Sequence, residues 1–157
     1  MSGQESSFHP ESDRLLLDVM LGKLAVYLRL CGYDAAYAGD RGVEADDRIL
    51  DIVTEENRTL LTRDVSLAGQ AESSILLTKR NIEDQLAELR EAGVELAVAE
   101  TPTRCGRCNG SLLAVDATEE TPEYAPDPDD TDCWRCRECG QLFWKGSHWK
   151  RMKETLN

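Results

Sequence analysis

Apolar residues fall in short blocks along the first hundred positions, and the spacing within each block changes from one to the next. Leu15-Leu16-Leu17 ends on Asp18, the pattern of a buried strand closing on an acid. From Met20 to Cys31 the apolar positions Leu21, Leu24, Ala25, Leu28 and Cys31 follow helical spacing, and Gly32 supplies the stop. Tyr33 to Tyr37 reads as a second, weaker strand. Asp46-Asp47 then open a helix with Ile49, Leu50 and Val53 inward, and Arg58 to Thr62 make a third strand ending near Asp64. A fourth strand is expected from Ile75 to Thr78. The next helix has Asn81 as cap, Glu83 and Asp84 in its first turn, Ile82, Leu86 and Leu89 inward, and Gly93 beyond its end. Val94 to Val98 reads as a fifth strand.

Strands alternating with helices predict an α/β fold, an open and mainly parallel sheet flanked by helices on both faces. Thr101-Pro102 marks a boundary. The expected organisation is a disordered tail over 1–13, an α/β unit over 14–100, and a metal-organised module over 101–157 with a mobile acidic loop at 116–132. With 157 residues, 41% of them apolar, the chain can bury one modest core and carry a small appended module. The polar start lacks a signal-peptide core and no run of 18 apolar residues occurs, so a soluble, cytoplasmic protein is expected.

Four of the six cysteines form two CxxC pairs, Cys105/Cys108 and Cys136/Cys139, each placing two thiolates one tight turn apart. Asn109-Gly110 and Gly140 permit the turns that follow. The 27 intervening residues are mostly the acidic loop, whose length adds little to closure entropy. One structural zinc ion is expected, with no open position for chemistry. Two disulfides or a redox pair fit less well without a secretory signal or a thioredoxin-like context. Cys31 is assigned to the core and Cys133 to no ligand role.

A net charge of -12 opposes binding of nucleic acid by the whole surface, but the charge is uneven. Eight acids crowd 116–132, whereas Arg135, Arg137, Lys145, Lys150, Arg151 and Lys153 gather near the C-terminus. A second acidic feature is dispersed in sequence. Asp18 and Asp64 sit at strand ends, where open parallel sheets build their sites, and Asp46 with Asp47 opens the helix before the third strand. Together they could form a pocket of hard oxygen ligands suited to Mg²⁺ or Mn²⁺. Individually, Asp46 reads equally well as a helix cap and Asp64 as a turn residue. Lys23, a cation in the first turn of a mostly buried helix, calls for a nearby acid such as Asp18 or a phosphate, or else snorkels to solvent. Arg29, in that helix's last turn, is accounted for by the dipole.

The stretches LLLDVMLGKLAVYLRLCGYD, DDRIL, RTLLTRDVSLA, RCGRCNGSLL and CWRCRECGQLFWKGSHWKRM, read in order, resemble the Mut-seven C-terminal RNase domain family from about Leu15 to Met152. That resemblance implies a PIN-like fold with a C-terminal zinc ribbon and a metal-dependent ribonuclease. Its acidic residues match Asp18, Asp46 and Asp64, with Asp46 and Asp47 not distinguished and Asp84 a candidate fourth acid.

The expected chemistry is cleavage of single-stranded or tRNA-like RNA, with Asp18, Asp46 and Asp64 holding Mg²⁺ or Mn²⁺ and Lys23 contacting the phosphate or orienting Asp18. Arg135, Lys145, His148, Lys150 and Arg151 would contact RNA backbone, and Trp149 would stack on a base. Phe143 and Trp144 offer further faces for unpaired bases, but they also read as the small core of the ribbon, which leaves Trp149 the better candidate. Rival readings are a non-catalytic RNA-binding or ribosome-associated adaptor, and a phosphoryl-accepting receiver with Thr78 and Lys79. A toxin role would need an antitoxin partner.

Overall fold

The computed structural model describes residues 7–156. Strands β1 (Arg14–Leu17), β2 (Asp34–Tyr37), β3 (Arg58–Thr62) and β4 (Ser74–Leu76) form one parallel sheet in the order β2-β1-β3-β4. Around it lie α1 (Gly22–Leu30), α2 (Asp46–Glu55), α3 (Val65–Gln70), α4 (Ile82–Glu91) and α5 (Ser147–Leu156). Alternate strand residues serve opposite faces. Leu15, Leu17 and Leu61 join α1, α4 and α5 in one core, while Leu16 and Leu60 join Ile49, Ile52 and Val53 of α2 and Leu67 of α3 in the other. Burial on both faces is why these strands read as unbroken apolar runs.

The helix expected from Met20 begins instead with a 3-10 turn, Val19–Leu21, capped by Asp18. The N-cap of α2 is Ala45, so Asp46 and Asp47 are first-turn residues and Asp46 is not the cap. The segment 94–98 is not a fifth strand. Val94 forms an isolated parallel bridge with Phe8, while the Tyr33 hydroxyl reaches Phe8 O and Glu95 O at 2.8 Å each. Of the tail expected over 1–13, residues 1–6 lie outside the described residues, whereas Ser7 and Phe8 donate their backbone N–H groups to Gly93 O. Two helices were not foreseen, α3 and α5.

Beyond residue 101, β5 (Leu112–Ala114), β6 (Cys133–Cys136) and β7 (Leu142–Trp144) form an antiparallel sheet in the order β5-β6-β7. The packing crosses the expected boundary. Met152 and Leu156 of α5 are buried in the core of the parallel sheet, and Arg90 donates to the Leu156 carbonyl. Among the described residues no helix is long and apolar enough to cross a membrane.

Candidate functional site

The two CxxC turns close as mirrored knuckles. Asn109 N–H donates to Cys105 O at 2.8 Å in one, and Gly140 N–H to Cys136 O at 3.1 Å in the other. The four sulfurs lie within 4.8 Å of one another, with Cys105 to Cys139 at 3.6 Å and Cys108 to Cys136 at 3.4 Å. A tetrahedral zinc with bonds of about 2.3 Å would set its sulfurs about 3.8 Å apart, so the cluster fits that ion, and all six cysteines are free of disulfides. Gly110 is required by this packing: a Cβ there would stand 2.8 Å from Cys136 Sγ and 3.2 Å from Cys108 Sγ. Burial pushes the Cys105 thiol up, whereas Cys136, despite burial, is drawn down to about 7 by the N–H groups of Cys139 and Glu138.

The first knuckle is docked on the open edge of β2. Asn109, at φ 73°, accepts from Ala35 N–H at 2.9 Å and donates to Asp34 Oδ1 at 2.7 Å. Asp34 also takes Arg58 Nη1 at 2.8 Å. Burial alone would raise the Asp34 carboxyl, but Arg58, Asn109 and Arg104 together hold it below the ordinary carboxylate value. Arg29 does more than complement a helix dipole. Only 3% exposed, it spans Ala35 O and Gly106 O at 2.9 Å each, with Asp40 at 3.5 Å.

At the other end of the strands lies the acidic feature. The strand order reverses between β1 and β3, and Asp18 and Asp64 follow those two strands. Asp18 is 7% exposed. Its Oδ1 accepts from Val19 N–H at 2.8 Å and its Oδ2 from the Thr62 hydroxyl at 2.7 Å. The same Thr62 oxygen accepts from Asp64 N–H at 3.0 Å, and Asp64 in turn caps α3 by accepting from Leu67 N–H at 3.1 Å. One hydroxyl therefore joins the two acids. Sequence reasoning missed Thr62, although a polar residue at the buried end of an apolar strand was a visible signal.

The remaining expected residues are less gathered. Asp46 and Asp47 are exposed in the first turn of α2, and Asp84 is exposed in that of α4. Among the described residues, no three of these carboxylates bring ligand oxygens within 4.8 Å of one another. Lys23 is exposed, and the ion pair with Asp18 is not formed; Asp18 takes Thr62 instead. Arg63, between Thr62 and Asp64, has a buried Nε with no partner among the described residues. Thr78 and Lys79, considered for a receiver, donate their backbone N–H groups to Glu88 at 2.9 Å each.

The expected RNA contacts separate into two sets. Arg135 is paired with Glu119 of the acidic loop at 2.8 Å. Lys150 and Arg151 are exposed on α5, as is His148. Trp149 is half-buried rather than an open stacking face, with Lys145 and Lys153 ammonium groups 5.1 Å and 5.3 Å from its ring centre.

The family model described as Mut7-C RNAse domain matches residues 13–156, nearly the whole chain. The chain belongs to the Mut7-C RNAse domain family. That span takes in both acidic strand ends and both CxxC pairs, so the sheet and the cysteine module of this Mut7-C domain are parts of one family unit. Comparison with curated proteins and with solved structures gave no match. Family membership points to nuclease-type chemistry and RNA as the substrate class.

Proposed function

We propose that this protein is an endoribonuclease whose active site lies around Asp18 and Asp64 and requires Mg²⁺ or Mn²⁺. The observation that supports this best is the link through Thr62, which ties the Asp18 carboxylate to the backbone N–H of Asp64 at the point where strand order reverses. Asp18 and Asp64 keep lone pairs beyond those used in their caps, and the Asp46 side chain makes no hydrogen bond among the described residues. An all-oxygen donor set suits Mg²⁺, which retains several waters and so tolerates carboxylates set further apart. When bound, such an ion would supply an activated water and charge neutralisation at phosphorus.

The chain's own groups would do the rest. Thr62 orients Asp18 by donating to it. Lys23, exposed one turn beyond Asp18, is free to meet the scissile phosphate. A zinc ion held by Cys105, Cys108, Cys136 and Cys139 has a structural role, and α5 with His148, Lys150 and Arg151 contributes phosphate affinity.

A second reading, an RNA-binding protein without catalysis, is favoured by the separation of the carboxylates. Purified protein incubated with labelled single-stranded RNA or tRNA, with Mn²⁺ or with EDTA and over a range of salt, separates the two. Metal-dependent cleavage lost in Asp64→Asn at unchanged zinc content is the expected result. Binding without cleavage at every salt concentration sinks the nuclease.

A further inference from the structure

A cleft of about 480 Å³ lies between α1, the three-stranded sheet and the start of α5, away from the acidic strand ends. Its walls are mainly apolar, with Val26 and Leu30 from α1 facing Phe143, Trp144 and Trp149. Its polar lining is one-sided. In a chain with 30 acids against 18 Lys and Arg, three arginines and His148 line this cleft and no carboxylate of the described residues does. Arg29 and Arg104 are committed to Gly106 O and Asn109 O, but Arg107 holds only Gln141 at 3.1 Å and His148 has no partner among the described residues. Lys145 and Lys153 add two ammonium groups beside Trp149.

A half-open aromatic and aliphatic cleft with cations at its edge and no acid among its described lining residues is complementary to a flat, apolar heterocycle that carries a phosphate. The volume is that of a small-molecule site. We infer that this cleft takes one unpaired nucleotide of an RNA strand, the base between α1 and the Phe143/Trp144 rings and the phosphate at Arg107 and His148. Resting on the reading of the protein as an RNA-acting one, it adds a second RNA subsite, anchored by the cysteine module and distinct from the site of cleavage. Because the cleft binds a base rather than cuts a bond, its occupancy is measurable without turnover.

The chain has three tryptophans, and two of them, Trp144 and Trp149, line the cleft. Zinc-loaded Trp134→Phe protein titrated with adenosine monophosphate should show saturable fluorescence quenching, and ribose 5-phosphate should not produce it. Arg107→Glu should weaken that binding by about tenfold or more. Val26→Phe, which narrows the apolar wall, should weaken it too, at unchanged zinc content and melting temperature. Absence of quenching, equal quenching by ribose 5-phosphate, or indifference to both substitutions would each overturn the inference. Metal-dependent cleavage in a protein without quenching would overturn the cleft alone and leave the nuclease standing; quenching without cleavage does the reverse.

Discussion

The Thr62 hydroxyl donates to Asp18 Oδ2 at 2.7 Å, and Thr62 itself is fully buried. Its oxygen has a second duty, accepting from Asp64 N–H at 3.0 Å, so the geometry at the ends of β1 and β3 depends on one side chain. Thr62→Val keeps the shape and removes both bonds. An unsatisfied buried carboxylate oxygen should lower stability by about 1–3 kcal/mol. Loss of an orienting partner should cut metal affinity or cleavage rate about 10–100-fold. Manganese titration of RNA cleavage, with a denaturant melt alongside, reads both; Thr62→Ser should recover most of the activity.

Asn109 joins the cysteine module to the edge of the parallel sheet through Ala35 N–H and Asp34 Oδ1. Asn109→Gly relieves the left-handed backbone at φ 73° but deletes both bonds, whereas Asn109→Ala deletes them and adds strain. Both should destabilise, by about 1–3 kcal/mol, with Ala the worse of the two. If Asn109→Gly melts as the parent does, the docking bonds contribute nothing. Faster loss of zinc to a chelator in both variants would show that the sheet edge and the metal cluster support each other.

The strands β1 and β3 were legible because burial on both faces leaves an uninterrupted apolar signature, as in Leu15-Leu16-Leu17. The cysteine knuckles were legible because ligand spacing is local. Segment 94–98 misled for a physical reason: Val94, Leu96 and Val98 do alternate toward the core, but among the described residues its strand-like pairing is a single isolated bridge to Phe8. Helix α5 was hidden by its composition. Its Trp and Lys residues suggested a nucleic-acid face, while Met152 and Leu156, four apart, carried the helical signal. At the acidic site the strand-end aspartates were visible, but the tie through Thr62 and the distance to Asp46 depend on sheet order, which no local pattern encodes.

The cysteine cluster predicts a definite stoichiometry. One zinc per chain is expected by atomic absorption, lost in Cys108→Ala and Cys136→Ala and kept in Cys133→Ala, since Cys133 faces Thr131 O at 3.3 Å instead of the cluster. Cys31 should also be dispensable for zinc. Burial pushes its thiol up to about 12, so at neutral pH it stays protonated and should resist alkylation until the chain unfolds. A second zinc per chain, or zinc retained without Cys136, would contradict the four-thiolate site.

Acid should find a weak point on the loop side of β3. Glu56 accepts from Arg41 at 2.6 Å and from Arg58 at 2.8 Å, and those hydrogen bonds, Arg41 first, draw its carboxyl from 4.5 to about 2. A carboxyl held lower in the folded chain than in the unfolded one stabilises fully above pH 4.5, and that contribution is lost as pH falls toward 2. Arg58 also holds Asp34, so protonating Glu56 loosens one of the two acids that fix a buried guanidinium. In Glu56→Gln the melting temperature should be lower than in the parent at pH 7, and the two should converge as pH falls below 4.5. Parallel melting curves across that range would mean that the Arg41 and Arg58 pairs are too well solvated to matter.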